Sequence, residues 1–435
     1  MKFGTDGVRG AANTELTAAF ALSLGRAAAR VLGGVEAVVG GDTRRSTAML
    51  EAAFVSGLAT EGITVHRLGV APTPVVAFEA ARRNAIGAVV SASHNPFHDN
   101  GIKLFASGGT KLPDEVEQRI ERQLGELDAP SGEPGAVYSV YDRKAYAAHV
   151  REPLEGRDLS GLHVVVDSAN GAASGLASRL LRDAGADVVA IHEHPDGRNI
   201  NEGCGATDTA SLAEEVRAQG ADLGLALDGD ADRLMAVDHT GELIDGDHII
   251  AICARDLHAR GHLHDDTVVV TVMTNLGFRL GMEDAGIKVV ETSVGDRYVL
   301  EALDAGGFSL GGEQSGHVIF RQLATTGDGV LTGIVLCDAV KRSGRRLADL
   351  AGAAMTRLPQ VLVNVPVPEP MADAATRLAG EIAAVEEQLG QRGRVLVRPS
   401  GTEPLVRVMV EAPTEGAAGD AAERLAAAVR DAAGA

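Results

Sequence analysis

The sequence predicts an α/β protein, and two recurring patterns support this class. Apolar runs of strand length alternate with amphipathic helical stretches, as in βαβ units. Four short polar loops each lie between two strand-like runs, the setting in which α/β folds place functional sites. At 435 residues, the chain is expected to form about three domains, with two to four open.

The apolar runs predict buried parallel strands, because they are continuous rather than alternating. They are 35–39, 63–68, 86–90, 162–166, 188–191 and 223–226. Stretches with helical periodicity lie between them, and helices are also expected further on. The predicted helices include 16–31, 46–59, 173–184, 211–218, 249–257 and 372–389.

The four strand–loop–strand settings suggest four domains, each offering one loop to a shared cleft. A segment at 125–140, rich in Gly, Pro, Ser and acidic residues, indicates a linker or surface loop before the first boundary. The predicted α/β domains are 1–150, 151–248 and 249–364, and a smaller α+β domain follows at 365–435.

The formal net charge of -20 argues against two classes of partner. A broadly acidic surface repels nucleic-acid phosphate and anionic lipid, so neither nucleic acid nor membrane is expected to bind. A phosphorylated small substrate would therefore need a local basic cleft. The sequence does not determine the oligomeric state, and a homodimer is one possible assembly.

The three cysteines, Cys204, Cys253 and Cys337, are far apart and form no CxxC pair. This spacing indicates a reducing compartment and argues against a disulfide framework or a zinc site. No secretory signal follows Met1, and no apolar run approaches the roughly 18 residues of a membrane span. We therefore expect a soluble, cytoplasmic protein.

The first polar loop, 91–96, carries Ser93 and is called the serine loop. A serine can accept a phosphoryl group when a metal and oriented dipoles stabilise the resulting charge. A Ser-His-Asp hydrolase is disfavoured, since there is no GxSxG and adjacent Ser93 and His94 side chains are expected to point apart. An ordinary polar turn is the alternative.

The aspartate loop, 228–233, presents Asp228, Asp230 and Asp232 in alternation. Three clustered carboxylates repel one another unless a cation neutralises them, and oxygen-only ligands favour Mg²⁺, Ca²⁺ or Mn²⁺. An EF-hand is excluded because Arg233 stands where its glycine would be. A solvated acidic turn is less consistent with the apolar runs on either side.

Two further loops can recognise a substrate. Glu313 and Ser315, in the glutamate loop at 312–317, can bind sugar hydroxyls. The arginine loop, 398–404, combines a guanidinium with hydroxyls and glycine-permitted backbone N–H groups, which suits an oxyanion. Taken singly, each is equally consistent with a polar turn. The predicted phosphate-binding residues are Arg398, Ser400, Gly401, Thr402 and, on the returning strand, Arg407.

Further cationic candidates for the cleft are Arg9, Arg44 and Lys103. Lys103 follows the serine loop between Ile102 and Leu104. We expect a partly dry cleft to lower the pKa of this lysine towards the range useful for proton transfer. Nucleotide binding has no support, because neither a P-loop nor a GxGxxG after a strand is present.

Together and in this order, the four loops resemble those of the α-D-phosphohexomutase superfamily over the whole chain. Within it, the chain is most similar to bacterial enzymes acting on glucosamine phosphates. The supporting segments are 2–10, the Gly-Glu-Gln-Ser-Gly-His form of 312–317, 294–298 and 325–329. The resemblance implies three related α/β domains with a mixed-sheet core and a smaller C-terminal α+β domain around a central cleft.

The resemblance also implies roles for individual residues. Ser93 would be phosphorylated in the resting enzyme and would bind Mg²⁺ together with the three aspartates. Glu313 and Ser315 would contact sugar hydroxyls, and the arginine loop with Arg407 would hold the phosphate that does not react. The residues implied to line the reacting centre are Arg9, Lys103, Arg233 and His317.

The implied reaction interconverts glucosamine 6-phosphate and glucosamine 1-phosphate through glucosamine 1,6-bisphosphate, which is both intermediate and activator. Two alternatives stay open: the same chemistry on glucose or mannose phosphates, and a Mg²⁺-dependent phosphosugar hydrolase. A non-catalytic phosphosugar-binding protein would not need all four loops. One departure from the family pattern is Ala231, where many members have glycine. We expect metal binding to survive this change.

Overall fold

The computed structural model describes residues 1–4, 6–130, 132–140, 142–400 and 404–434. Two compact units are present. The first comprises Met1–Met273 and Gly286–Ala354, and the second comprises Thr274–Ala285 and Met355–Ala435. Among the described residues, no helix has the length and apolar character to cross a bilayer.

The N-terminal part of the first unit is a six-stranded mixed sheet in the order β1-β5-β4-β2-β3-β6. Strands β2, β3, β4 and β6 run parallel, and β5 returns antiparallel between β4 and β1. Its elements are β1 (Val8–Ala11), α1 (Ala18–Leu32), β2 (Glu36–Gly41), α2 (Thr47–Thr60), β3 (Thr64–Val70), α3 (Thr73–Arg83), β4 (Ile86–Val90), β5 (Asp99–Phe105), α4 (Asp114–Leu124), β6 (Val137–Ser139) and α5 (Lys144–His149).

The next sheet has five strands in the order β11-β10-β9-β7-β8. Its three parallel strands, β8, β7 and β9, continue into an antiparallel hairpin. The elements are β7 (His163–Asp167), α6 (Ala177–Asp183), β8 (Asp187–Ile191), α7 (Ala210–Gln219), β9 (Leu223–Leu227), β10 (Leu234–Asp238) and β11 (Leu243–Ile244).

A third sheet, in the order β13-β12-β14-β15, completes the three α/β layers. Its last strand is antiparallel, so all three sheets are mixed. The elements in the first unit are α8 (Gly246–Ala259), β12 (Thr267–Thr271), β13 (Lys288–Thr292), α10 (Asp296–Gly306), β14 (Leu310–Gly312), β15 (Val318–Phe320), α11 (Gly329–Ser343) and α12 (Leu347–Ala354), whereas α9 (Leu276–Asp284) belongs to the second unit.

The C-terminal part is smaller and of α+β type, with an antiparallel sheet in the order β16-β18-β17. The predicted fold class is therefore confirmed. The predicted helix at 372–389 is divided into two helices. The elements are β16 (Gln360–Pro366), α13 (Ala374–Arg377), α14 (Ala379–Leu389), β17 (Arg394–Pro399), β18 (Leu405–Glu411) and α15 (Glu415–Ala433).

The predicted domain boundaries stay predictions. The boundary after residue 248 falls inside α8, and the boundary after residue 364 falls inside β16. A division a few residues earlier would leave both elements whole.

Small aliphatic side chains build the core, as expected for a chain with 3% aromatic residues and no tryptophan. Helices α1 and α2 pack closely above the first sheet because glycine lies at their crossing. A Cβ atom on Gly57 would stand 2.2 Å from the Leu22 carbonyl oxygen.

Candidate active site

Three of the four predicted loops meet within the first unit. The serine loop connects β4 to β5, the aspartate loop connects β9 to β10, and the glutamate loop connects β14 to β15. The Ser93 hydroxyl donates a 2.5 Å hydrogen bond to Asp228 Oδ2. The backbone of the aspartate loop also approaches closely, because a Cβ atom on Gly229 would lie 2.5 Å from the Ser93 carbonyl oxygen. Loops far apart in sequence thus form one site.

Ser93 is buried and has a left-handed backbone, with φ of 51°. Its N–H donates to Ser91 Oγ at 2.9 Å. This conformation is uncommon outside glycine and marks a constrained loop. It also makes one sequence prediction wrong. The two side chains were expected to point apart, as they would in an extended chain, but His94 Nδ1 lies 3.3 Å from Ser93 Oγ.

His94 is a site residue that the sequence analysis did not select. Burial, followed by the nearby cations Arg233 and Arg9, lowers its pKa to about 4. The imidazole is therefore neutral at pH 7 and able to accept a proton. Its position directly after Ser93 could have indicated this role. An extended backbone, however, would place the two side chains on opposite sides, so the sequence did not predict the contact.

The three aspartates form a buried group whose carboxylate oxygens lie within 4.8 Å of one another. Burial raises the pKa of Asp228, and the neighbouring charges of Asp232 and Asp230 raise it further. Asp230 Oδ1 and Asp232 Oδ1 are buried and accept no hydrogen bond. Oxygen donors that lack hydrogen-bond partners fit a hard divalent cation such as Mg²⁺.

Lys103 supplies positive charge to this group. Its Nζ donates to Asp230 Oδ2 at 2.8 Å and Asp232 Oδ2 at 3.0 Å, and it pairs with Asp6 Oδ2 at 2.8 Å. The expected lowering of its pKa is wrong. Burial acts in that direction, but the three carboxylates outweigh it and raise the pKa of Lys103 well above its ordinary value. The lysine is an ammonium group at neutral pH.

A cavity of about 480 Å³ opens beside the aspartate loop. It brings together most of the residues predicted to line the reacting centre or to bind sugar, and it adds His94. Charged and hydroxyl groups, which include both hydrogen-bond donors and acceptors, therefore line one cavity that is large enough for a hexose phosphate. The residues concerned are Arg9, His94, Arg233, Glu313, Ser315 and His317.

His317 is held on two sides. Its Nε2 accepts the Gly327 N–H at 2.9 Å and lies 3.2 Å from Asp296 Oδ2. Its Nδ1 is 3.8 Å from Asp232 Oδ1. Burial lowers the pKa of His317, but Asp296 and Asp232 outweigh it and raise the pKa. The ring is therefore suited to carry a proton near neutral pH.

The remaining residues of the cavity are fixed by their loops. The Arg233 N–H donates to Asp228 Oδ1 at 3.2 Å, and Glu313 Oε1 accepts the Gly295 N–H at 3.1 Å. Arg9 forms an ion pair with Asp6. Asp6 and Asp296 were not selected from the sequence, although they lie inside the segments 2–10 and 294–298 that carried the resemblance.

The arginine loop lies in the second unit, between β17 and β18. Arg398 and Arg407 are direct partners across this strand pair. Burial lowers the pKa of Arg398, and the adjacent Arg407 lowers it further, as expected for neighbouring cations. The Ser400 N–H donates to the Leu405 carbonyl oxygen at 2.9 Å. Gly401 and Thr402 lie outside the described residues.

Family models match the chain in four consecutive segments. They are described as phosphoglucomutase/phosphomannomutase alpha/beta/alpha domains I, II and III and the C-terminal domain. The matches cover residues 1–130, 144–241, 245–358 and 362–428, respectively.

Comparison with whole proteins gives the same family. A phosphoglucosamine mutase of Frankia alni is 56% identical over 98% of both chains. A phosphoglucomutase/phosphomannomutase family protein of Burkholderia thailandensis has a similar structure, with a TM-score of 0.84, 25% identity and coverage of 98% and 97%. An Aspergillus fumigatus N-acetylphosphoglucosamine mutase, solved with GlcNAc-6P and magnesium, has a TM-score of 0.72, 21% identity and coverage of 100% and 96%.

Proposed function

The chain belongs to the phosphoglucomutase/phosphomannomutase family, and from this premise we propose that it is a phosphoglucosamine mutase. It interconverts glucosamine 6-phosphate and glucosamine 1-phosphate. The observation that carries the choice of amino sugar is the near full-length similarity to the Frankia alni enzyme. The geometry that carries the chemistry is the contact between the Ser93 hydroxyl and the buried aspartate loop.

The reaction begins with a phosphoryl group on Ser93. This group passes to the free hydroxyl of glucosamine 6-phosphate and gives glucosamine 1,6-bisphosphate. The bisphosphate turns in the site and returns its other phosphoryl group to Ser93, which leaves glucosamine 1-phosphate. Each transfer moves one phosphoryl group between two oxygens, and the bisphosphate also restores enzyme that has lost its phosphate.

The side chains around Ser93 divide into charge stabilisers and proton carriers. Lys103 and Arg233, whose pKa values are raised, and the guanidinium of Arg9 stabilise negative charge that spreads over the transferring group. His94 is neutral at pH 7 and can accept the proton of an attacking hydroxyl. His317, whose pKa is raised, can supply a proton to the departing oxygen.

Asp228, Asp230 and Asp232, together with phosphorylated Ser93, would hold one Mg²⁺. When bound, the cation would supply electrostatic stabilisation of the transferring phosphoryl group. The fit rests on the all-oxygen donor set and on the two buried aspartate oxygens that accept no hydrogen bond.

Substrate orientation depends on groups outside the phosphoryl site. Glu313 and Ser315 read sugar hydroxyls. The non-reacting phosphate is bound by the arginine loop, whose paired guanidinium groups suit a dianion. The same cradle must accept phosphate from either end of the sugar, because the bisphosphate turns between the two transfers. The residues assigned to it are Arg398, Ser400, Gly401, Thr402 and Arg407.

The proposal is tested by the conversion of glucosamine 6-phosphate with Mg²⁺ and a trace of sugar bisphosphate. Ser93→Ala should lose turnover. Ser56→Ala, which changes an exposed serine on α2, serves as the matched control. Glucose 1-phosphate and mannose 1-phosphate are assayed in parallel. A neutral hexose phosphate turned over faster than the amino sugar would overturn the substrate assignment, and release of inorganic phosphate instead of isomer would overturn the mutase assignment.

A further inference from the structure

Three side chains of different chemistry meet at the carboxyl ends of β7 and β8. Asp167 is the last residue of β7, His192 directly follows β8, and Cys204 directly precedes the short 3-10 helix Gly205–Thr207. One donor atom from each residue lies within 4.8 Å of the other two. None of the three takes part in the phosphoryl transfer proposed above.

We propose that Asp167, His192 and Cys204 form a second metal site, which binds a borderline-soft divalent cation such as Zn²⁺. The donor set is a carboxylate oxygen, an imidazole nitrogen and a thiolate sulfur, all of which zinc accepts. The aspartate loop, by contrast, offers only oxygen and suits Mg²⁺. The two sites would therefore select different metals through their donor atoms.

The spacing of the donors suits one ion. His192 Nδ1 is buried and lies 3.0 Å from Asp167 Oδ2. Neighbouring ligand atoms of a tetrahedral zinc centre are separated by about 3.3–3.8 Å, as its bond lengths require. A small rotation of these side chains would bring them to that separation. Three protein ligands leave the fourth position for water or an anion.

Charge and burial at the cluster favour a divalent cation. Asp167 and Cys204 are fully buried, whereas His192 is part-exposed and offers a route for entry. A metal bound by the Cys204 sulfur would displace the thiol proton to solvent, together with any proton on His192 Nδ1. One carboxylate, one thiolate and one divalent cation then form a neutral buried set.

The backbone holds the cluster in an unusual shape. The Asp167 carboxylate accepts N–H groups from Ala169 and Gly205, both at 2.8 Å. Ala169 and His192 have left-handed φ values of 52° and 47°, which side-chain-bearing residues rarely adopt. Such conformations persist where surrounding structure enforces them, and they concentrate at functional sites.

The same loop supports the serine loop. Asn201, three residues before Cys204, donates from Nδ2 to the Ser93 carbonyl at 2.9 Å and to the Asn95 carbonyl at 3.2 Å. A metal bound at Cys204 would therefore restrain the loop that holds the reacting serine in place. The spacing of the cysteines in the sequence argued against a zinc site. It did not reveal this cluster, because the three ligands come from segments that only the fold brings together.

The test is a titration of full-length, untagged protein with Co²⁺, followed by absorbance. Tetrahedral cobalt with a thiolate ligand should give a strong near-ultraviolet charge-transfer band, which excess Zn²⁺ removes. Cys204→Ser should lose this band. Two controls should keep it: Cys253→Ser, which changes another buried thiol, and Asp228→Asn, which changes the oxygen-only site.

Either of two results would overturn the second metal site: no thiolate band in the wild-type protein, or an undiminished band in Cys204→Ser. If Cys204→Ser does not fold by circular dichroism, His192→Asn replaces it and should weaken cobalt binding at least tenfold. The readout is absorbance rather than turnover. A failure of the proposed mutase function would therefore leave this test unaffected.

Discussion

The guanidinium of Arg44 donates a 2.8 Å hydrogen bond to the backbone carbonyl of Ser93. The same side chain also donates to the carbonyls of Asn95, Pro96 and Asp99, and it pairs with Asp42 at 2.7 Å. The sequence suggested Arg44 as a cation of the substrate cleft. The structure instead buries it beneath the serine loop, where it acts as a positioning residue.

Arg44→Lys should therefore lower turnover without abolishing substrate binding. A lysine keeps the charge but cannot reproduce the planar fork that reaches several carbonyls at once. We expect kcat to fall more than tenfold with little change in KM, and the free energy of unfolding to fall by about 2 kcal/mol. Steady-state kinetics and urea unfolding measure these effects. Arg45→Lys, on the exposed neighbouring side chain, should change neither, and an unchanged kcat in Arg44→Lys would refute the positioning role.

A second prediction concerns Lys103, because its single ammonium group pairs with three carboxylates. Lys103→Met should destabilise metal-free protein by about 3–5 kcal/mol, the usual effect of leaving buried charge unpaired. Mg²⁺ should then stabilise the variant more than the wild type. Thermal unfolding in chelator and in Mg²⁺ compares the two. Lys288→Met removes only an exposed ion pair and should behave like the wild type; equal stability of Lys103→Met in chelator would contradict the assignment.

Metal dependence is predicted from Asp230. One of its oxygens accepts the Thr73 hydroxyl at 2.6 Å, whereas the other is buried and accepts no hydrogen bond. Chelator should abolish turnover, and Mg²⁺ should restore it. Asp230→Asn should raise the Mg²⁺ concentration for half-maximal rate by about tenfold or more, because a charged ligand is lost. Asp284→Asn, at the exposed end of α9, should not. A Mg²⁺ requirement unchanged in Asp230→Asn would remove this residue from the metal site.

Ala231 shows what a single departure from the family pattern means physically. The sequence raised the question whether this position has positive φ, and the structure gives 58°. Glycine adopts this conformation without steric cost. The unfolding free energy of Ala231→Gly should therefore lie within about 0.5 kcal/mol of the wild-type value, despite the loss of a buried methyl group. Ala427→Gly, at an exposed position inside the helix α15, should cost about 1 kcal/mol. Urea unfolding distinguishes the two. A larger loss at Ala231 than at Ala427 would show that methyl packing outweighs the backbone strain.

The sequence was sufficient to predict the fold class and the positions of the serine, aspartate and glutamate loops between strands, because each loop combines a distinctive polar set with apolar strands on both sides. It was insufficient to predict contacts that depend on an unusual local backbone conformation or on segments far apart in the chain. The left-handed backbone at Ser93 brings His94 next to the hydroxyl, against the alternation of an extended chain. Likewise, Lys103 on β5 meets Asp230 and Asp232 of the aspartate loop and Asp6, which precedes β1. Only the fold brings these segments together, so the sequence did not predict the direction of the pKa shift of Lys103.

Asp328 provides a prediction of pH-dependent stability. This buried residue caps α11 by accepting the Leu331 N–H at 2.9 Å, and it accepts the Tyr146 hydroxyl at 2.9 Å. Burial raises the pKa of its carboxyl from 3.8 to about 6. The folded state holds this proton more tightly than the unfolded chain. Protonated Asp328 therefore makes its full contribution to the unfolding free energy below about pH 4, and this contribution is lost as the pH rises through about 6.

Asp328→Asn keeps a neutral hydrogen-bond acceptor at this position and removes the titration. Relative to the wild type, the variant should gain about 2–3 kcal/mol of unfolding free energy between pH 4 and pH 8, with most of the change complete by pH 7. Urea unfolding of both proteins across this range measures the difference. Asp284→Asn should show no such trend, because its side chain is exposed. If the difference in unfolding free energy between the wild type and Asp328→Asn stays constant with pH, the prediction is wrong. Asp328 would then have the same pKa in the folded and unfolded chains, because its hydrogen bonds from Tyr146 and the helix N-terminus would offset its burial.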